Sequence, residues 1–256
     1  QGRLLRRDFD RYFESKLARS YFSGEVEFTI TNKYGENKIA LIDSDKIVRP
    51  SMIKKEKILD KKKQEKQSFS MLGVPYFDTS AMIVLSTWHL GGGAIPYENR
   101  DIETLEENLK SVEKTYYEED CYEIFEKNSN MVNISLFNSG DVYIEDATLV
   151  LKIPKITGIY VVDRIFENPD STSGPKTMES LQYPEVKVEG DFYVIKGSIG
   201  NVKHKLNQDA FSSKVRLFAT AKVNVETIKV EVELFAKNLK TSIKKEILVD
   251  TIPLSE

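Results

Sequence analysis

In the second half of the chain, hydrophobic residues alternate with polar ones, which is the period of a strand with one buried face. The alternation is clearest from residue 225 to residue 235. Turn-forming residues separate the alternating segments, so a run of short strands is expected. Together they predict an immunoglobulin-like antiparallel β-sandwich. The predicted strands are 131–137, 147–153, 158–165, 192–195, 215–219, 223–236 and 244–250.

Residues 101–127 follow a helical period instead. This predicted helix is acidic. Its stripe can pack against the sheet of the same chain, or it can join copies of the chain as a coiled coil. Oligomerisation through helix 101–127 therefore stays open. The apolar stripe begins with Ile102, Leu105, Leu109, Val112 and Tyr116.

The N-terminal half has a mixed pattern. Residues 3–21 predict an amphipathic helix rich in arginine, and 25–31 with 38–42 predict a hairpin. Residues 81–90 suit a buried strand, and three glycines at 91–93 follow it as a turn or bulge. The fold class is thus mainly β with helices: a mixed α/β N-terminal segment and a helix precede the sandwich. The predicted domains are 1–127, with helix, hairpin, basic linker and acidic helix, and 128–256, the β-sandwich.

A basic run interrupts the N-terminal half. Residues 46–67 carry nine basic and three acidic side chains, a net charge of +6. We interpret the run as an exposed, mobile linker. The sharper alternative is contact with nucleic-acid phosphates, which would be salt-sensitive and blind to sequence. The candidate contact residues are Lys54, Lys55, Lys57, Lys61, Lys62, Lys63 and Lys66.

Composition narrows the function classes. The net charge of -3 argues against a globally basic nucleic-acid binder. No segment approaches the roughly 20 apolar residues of a membrane helix. A single cysteine excludes an intrachain disulfide and a cysteine zinc cluster, and it suits the reducing cytoplasm.

The residues that most often carry catalysis lack partners in the sequence. Cys121 lies in the apolar stripe of the acidic helix, and nothing nearby in the sequence would lower the pKa of its thiol. His89 and His204 have no nucleophile placed beside them. We therefore predict no catalytic residue, no metal site and no cofactor.

The chain begins Gln1-Gly2-Arg3. We interpret this start as a fragment of a longer protein, whose main activity lies upstream.

Several turn and strand segments of the second half are similar to a known pattern. Asn138-Ser139-Gly140-Asp141 is followed by Ile144-Glu145-Asp146-Ala147 and by a strand that ends at Pro154. The segments 199–205, 215–217 and 234–239 add to the likeness. The pattern resembles the C-terminal β-sandwich region of prokaryotic proteins with an upstream AlbA/Schlafen-type DNA-binding domain. The resemblance covers about residues 131–250 and implies an accessory region of a nucleic-acid-associated or defence protein. It transfers no catalytic residue.

Three functions follow as expectations. The first is a non-catalytic recognition or assembly module that binds a protein partner or the upstream domain of its parent chain. The second is a nucleic-acid-binding appendage that uses the basic run. The third is an enzyme with a dispersed carboxylate site, since 40 acidic residues make some close pair inevitable.

Overall fold

The computed structural model describes residues 22, 24–72, 100–169 and 178–254. For residues 65–72 and 102 it describes the backbone alone. This part of the chain is mainly β with helices, which confirms the predicted fold class. The strands are β1 (Val26–Asn32), β2 (Gly35–Glu36), β3 (Lys38–Leu41), β4 (Asn130–Asn138), β5 (Ile144–Pro154), β6 (Ile159–Val161), β7 (Glu185–Glu189), β8 (Phe192–Val202), β9 (Asn207–Asp209), β10 (Val215–Ala219), β11 (Thr227–Phe235) and β12 (Ile243–Pro253). The helices are α1 (Pro50–Leu72), α2 (Ile102–Thr115), α3 (Tyr117–Cys121) and α4 (Met178–Leu181), with a 3-10 turn at Ser44–Lys46 and a π-helical turn at Tyr122–Lys127.

The strands form two six-stranded sheets. One has the order β2-β1-β4-β10-β6, with β9 also paired to β4, and the other has the order β3-β12-β11-β5-β8-β7. Each of the seven segments predicted as strands by alternation overlaps an observed strand, and 215–219 agrees at both ends. Sequence pattern missed β7 and β9, because strands of five and three residues show too little alternation to stand out.

One hydrophobic core lies between residues of both sheets. Leu136 of β4 and Leu217 of β10 belong to the first sheet, whereas Leu149, Ile195 and Val230 belong to the second, and none of the five has measurable exposure. Alternation accounts for this arrangement, since every second side chain of each strand faces inward. Burying such side chains is the main favourable contribution to folding.

The N-terminal strands complete both sheets. β1 pairs antiparallel with β4, and β3 pairs in parallel with β12. The predicted hairpin therefore divides: β1 turns back only to the two-residue β2, and β3 joins the other sheet. The predicted division at 127/128 stays a prediction, although β1 and β3 lie before it and pair with strands that lie after it.

Clustering of contacts divides the chain into two compact units. The sheet unit holds the described residues of 1–44, 125–165 and 171–256, and the helical unit holds those of 45–124 and 166–170.

In the helical unit, the basic run is a helix, which corrects its interpretation as a linker. Ile58 of α1 has no exposure and packs with Leu105, Leu109 and Val112 of α2. One well-placed isoleucine thus anchors a helix whose apolar stripe is thin. The stripe predicted to face the sheet, or a second copy, packs against α1.

Charge also joins these helices. Lys62 lies 2.7 Å from Glu106, and Lys55 lies 3.5 Å from Glu113. At the first turn of α1, the backbone N–H of Ser51 donates to Asp120 at 2.9 Å. A carboxylate there satisfies a helix N-terminal donor and complements the helix dipole. The acidic helix therefore offsets the self-repulsion that suggested an unfolded basic run.

No helix among the described residues is long and apolar enough to cross a membrane. Four predictions lie outside the described residues: the amphipathic helix 3–21, the strand 81–90, the turn at 91–93 and the role of His89.

Candidate functional site: a loop surface on the sheet unit

Two loops of the sheet unit lie side by side. Residues 139–143 join β4 to β5, and residues 203–206 join β8 to β9. Asn138 and His204 form an isolated parallel bridge, and the N–H of Lys205 donates to the carbonyl of Asn138 at 2.7 Å. We call residues 138–143 and 203–206 the loop surface.

Asn138 fixes the first loop from inside. Its side chain has no exposure, and its Oδ1 accepts from the N–H of Gly140 at 2.9 Å. Its Nδ2 donates to the carbonyl of Val142, also at 2.9 Å. A buried amide that satisfies two backbone groups holds a loop in one conformation, because breaking either bond leaves a buried group unpaired.

Asn238 fixes the end of the same loop from the turn that follows β11. Its Nδ2 donates to the carbonyl of Tyr143 at 2.8 Å, and its Oδ1 accepts from the N–H of Glu145 at 2.9 Å. Asn238 is 7% exposed. The two asparagines lie 100 positions apart and hold the backbone on both sides of Tyr143.

The loops display apolar side chains on the fixed backbone. Val142 is 37% exposed, Tyr143 is 50% exposed and Leu206 is 55% exposed. The rings of Tyr143 and His204 meet edge to face with centroids 5.0 Å apart. Tyrosine is enriched among the residues that dominate the binding energy of protein interfaces, so Tyr143 is the strongest candidate contact of the three.

Backbone strain accumulates beside these side chains. Asp146 and Lys205 adopt left-handed φ angles of 51° and 55°, which non-glycine residues rarely adopt. Asn37 is the third such residue in the described part of the chain. Strained backbone persists where the surrounding structure imposes it, and it occurs often at functional sites.

One ion pair lies in the loop surface. The ammonium of Lys205 lies 2.9 Å from Asp141, and its hydrogen bond and charge hold the pKa of that carboxyl below its ordinary value. The buried Nδ1 of His204 has no hydrogen-bond partner. The ring of His204 contacts the ring of Tyr143, and its backbone bridges to Asn138.

A second polar group of residues, the arginine cluster, consists of Arg216, Glu126, Glu179, Tyr183 and Ser213. The Arg216 side chain is 4% exposed and contacts both Glu126 and Glu179 at 3.0 Å. Its NH1 donates to Ser213 Oγ and to the carbonyl of Lys214. The guanidinium is thus hydrogen-bonded through all three nitrogens.

Tyr183 completes the arginine cluster. Its hydroxyl accepts from the backbone N–H of Arg216 and donates to the carbonyl of Val162, both at 3.0 Å. Burial is the main cause that raises the pKa of Tyr183 to about 12. The phenol is neutral at ordinary pH, and its protein partners occupy both roles of its hydroxyl. The cluster joins the π-helical turn, α4 and β10, which is a structural role.

The seven predicted nucleic-acid contacts all lie on α1, and five of them have described interactions. Lys55 and Lys62 pair with α2 as above, Lys63 lies 3.6 Å from Asp60, and Lys54 lies over the ring of Tyr116. Lys57 is exposed, whereas Lys61 is half-buried and has an interaction of its own. The side chain of Lys66 lies outside the described set.

The outer face of the second sheet carries an open depression of about 410 Å³. Its charges compensate each other, since Lys152 lies 3.8 Å from Glu231 and Lys244 lies 3.3 Å from Glu233.

Cys121 is buried at 6% exposure. Within the described ranges, no three His, Cys, Asp or Glu side chains group in a way that could hold a metal ion.

Comparison with known proteins adds no family. No protein-family model matches the chain, and no curated protein sequence matches it. One similar solved structure is that of AvmM, which catalyses macrocyclization in alchivemycin A biosynthesis. It shares 11% sequence identity, covers 48% of this chain and 81% of its own, and has a TM-score of 0.21. Similarity at that level supports no statement about fold or activity.

Sequence reasoning found part of the loop surface. The turn at 138–141 and the segment 199–205 both belong to the family pattern, and the structure brings Asn138 beside His204 and Lys205. Val142, Tyr143 and Leu206 belong to no feature predicted from the sequence, and Asn238 lies in the segment 234–239 of the family pattern without a predicted role. Tyr143 and Leu206 were visible as apolar residues beside turns, but the support from Asn238 has no local signal, because its partners lie about 95 positions away.

Proposed function

We propose that this chain is a non-catalytic recognition or assembly module that binds a protein partner through the loop surface. The observation that carries the proposal is the pair of buried asparagines that fix the backbone around Tyr143, whose side chain is exposed, as are those of Val142 and Leu206. A backbone fixed in advance loses little conformational entropy on binding. Exposed apolar side chains on such a backbone contribute binding affinity when a partner covers them. The stability of the fold does not depend on these side chains.

The finer parts of this proposal rest on the sequence. They are the immunoglobulin-like arrangement of strands, the cytoplasmic location, and a place as the C-terminal part of a prokaryotic nucleic-acid-associated or defence protein. The resemblance to AlbA/Schlafen-associated sandwich regions supports the proposal that the chain is the C-terminal part of such a protein. The turn motif of that resemblance includes Asn138 and Gly140, which belong to the loop surface.

Four carboxyl groups bear on the enzyme alternative. Each described carboxyl group with a resolved change has its pKa lowered: Asp101, Asp141, Glu185 and Glu233. In each, hydrogen-bond donors stabilise the charged form. A general acid at neutral pH needs the opposite shift, so none of these four has the pKa that a general acid requires.

Photocrosslinking tests the proposal. A photoreactive phenylalanine analogue replaces Tyr143 in one sample and Tyr160 in a matched control, since Tyr160 is 47% exposed in the same unit. We expect a discrete protein adduct from position 143, and its loss when Leu206→Asp is added. Equal adducts at both positions, or an adduct at 143 that is insensitive to Leu206→Asp, would count against the loop surface.

The nucleic-acid alternative keeps one supporting observation: all seven candidate lysines lie on one helix, and Lys57 on its exposed side. This alternative predicts binding to oligonucleotides that weakens steeply with salt. Lys57→Glu and Lys63→Glu would reduce the salt dependence if α1 contacts phosphates. An affinity unchanged by both variants would exclude α1 as the contact.

A further inference from the structure

β7 lies at the end of the second sheet, and within the described ranges it pairs only with β8. Its sequence alternates charge and valine: Glu185, Val186, Lys187, Val188 and Glu189. Four of the five residues are exposed, and Val186 is half-buried. Free strand edges carry backbone groups that pair readily with another strand.

The hairpin between β7 and β8 fixes which backbone groups face outward. Its two-residue turn is Gly190-Asp191, so Glu189 and Phe192 form the hydrogen-bonded pair next to the turn. Pairs alternate along an antiparallel ladder, so Lys187 and Glu185 also direct their backbone groups toward β8. The N–H and C=O groups of Val186 and Val188 therefore point to the free edge.

We propose that two copies of this chain pair weakly through β7, antiparallel about a two-fold axis at Val188. In this register Lys187 of each copy, which also pairs with Glu185 of its own strand, lies opposite Glu189 of the other copy, and this gives two opposite-charge pairs. Val188, which is 55% exposed, meets its own counterpart. The turn residues Gly190 and Asp191 lie opposite Val186 and Glu185, and a Cβ added at Gly190 would meet nothing within 4 Å.

The neighbouring registers are less favourable. An axis at Lys187 places Lys187 against itself and Glu185 against Glu189, and like charges directly opposite destabilise strand pairs. An axis at Val186 places Val188 opposite Pro184, which has no N–H to donate. The register centred on Val186 would also place Lys187 opposite Glu185, so the missing N–H of Pro184 decides between it and the register centred on Val188. The small contact is expected to give a weak dimer that depends on concentration.

Sedimentation velocity over a range of protein concentrations tests the pairing. Lys187→Glu places Glu against Glu, and Glu189→Lys places Lys against Lys, so each variant alone should associate about tenfold more weakly. An equimolar mixture of the two restores both opposite-charge pairs and should associate as the wild type does. Glu226→Lys, the same charge change at an exposed residue outside β7, is the matched control and should have no effect.

Each alternative has a distinct result. A wild type that stays monomeric at all concentrations overturns the proposal. Glu189→Lys would strengthen association if the axis lay at Lys187, and would leave it unchanged if the axis lay at Val186. Failure of the mixture to recover association would show that the edges do not meet in this register. Circular dichroism of each variant separates these results from misfolding.

Discussion

The arginine cluster buries polar atoms that bond within the fold, whereas the loop surface exposes apolar side chains to solvent. In the cluster, the guanidinium of Arg216 is 4% exposed and directs its donors to protein acceptors. In the loop surface, the amides of Asn138 and Asn238 face inward, and Val142, Tyr143 and Leu206 face outward. The first arrangement uses its interactions within the fold, whereas the second leaves apolar surface for a partner.

This contrast separates stability from recognition. A variant in the arginine cluster should change the free energy of unfolding. It should weaken binding only to the extent that it unfolds the protein. A variant among the displayed side chains should change binding and leave stability nearly unaltered. The asparagines should affect both, because they stabilise the fold and position the displayed residues.

The largest effect is expected from Arg216→Leu. This variant leaves Glu126, whose side chain is 10% exposed, without its buried partner. We expect a loss of about 3–5 kcal/mol in the free energy of unfolding, measured by urea denaturation. The matched control is Glu179→Gln, since that side chain is 54% exposed and its pair should be worth at most about 1 kcal/mol. Equal losses for the two variants would contradict the structural role of the buried pair.

Alkaline pH should weaken the same cluster. Burial raises the pKa of Tyr183 from 10.0 to about 12, so between these values the unfolded chain ionises first and is favoured. Stability should fall as pH rises from about 10 to 12, by up to about 3 kcal/mol from this residue. Tyr183→Phe should remove this part of the pH dependence. An unchanged dependence in the variant would show that Tyr183 does not cause it.

Asn138→Ala should have an intermediate effect on stability. It leaves the N–H of Gly140 and the carbonyl of Val142 without their partner, at a cost of about 1–3 kcal/mol. Binding of the partner should weaken even at temperatures where the variant remains folded. Urea denaturation and a titration with the partner provide the two readouts. Full binding by the folded variant would show that the loop needs no such support.

The smallest change in stability is expected from Leu206→Asp. Leu206 is 55% exposed, so the free energy of unfolding should change by only about 0.5 kcal/mol. Thermal unfolding measures this directly. A loss several times larger would assign Leu206 to the fold, and the contrast with the arginine cluster would fail at that residue.

The sheets were predictable because their signal is local. Alternation over five to eleven residues located β4, β5, β8, β10, β11 and β12, and the steps of 3 and 4 located the α2 region. The helical state of α1 was not predictable from its own thin stripe, because Ile58 and the lysines are stabilised by α2, about 40–50 positions away. The division of the predicted hairpin also depends on distant strands. The side-chain amide of Asn130, for example, accepts from the N–H of Ala40 in β3 and donates to its carbonyl, although the two residues lie 90 positions apart.

The candidate site shows the same limit. The turn Asn138-Ser139-Gly140-Asp141 was visible, because those residue types favour turns locally. Its pairing with residues 203–206 depends on the fold, as does the support from Asn238. Sequence therefore predicted where a loop lies, but not which side chains the loop displays.

The most direct test of the loop surface compares two tyrosines of similar exposure. Tyr143→Ala and Tyr160→Ala each remove a ring that is about half exposed, at 50% and 47%. Titration calorimetry with the partner crosslinked at position 143 measures the affinity of each variant. We predict that Tyr143→Ala weakens binding at least about tenfold and Tyr160→Ala less than about twofold, with both variants as stable as the wild type within about 1 kcal/mol. Equal effects of the two variants on affinity, or full affinity without Tyr143, would contradict recognition through the loop surface.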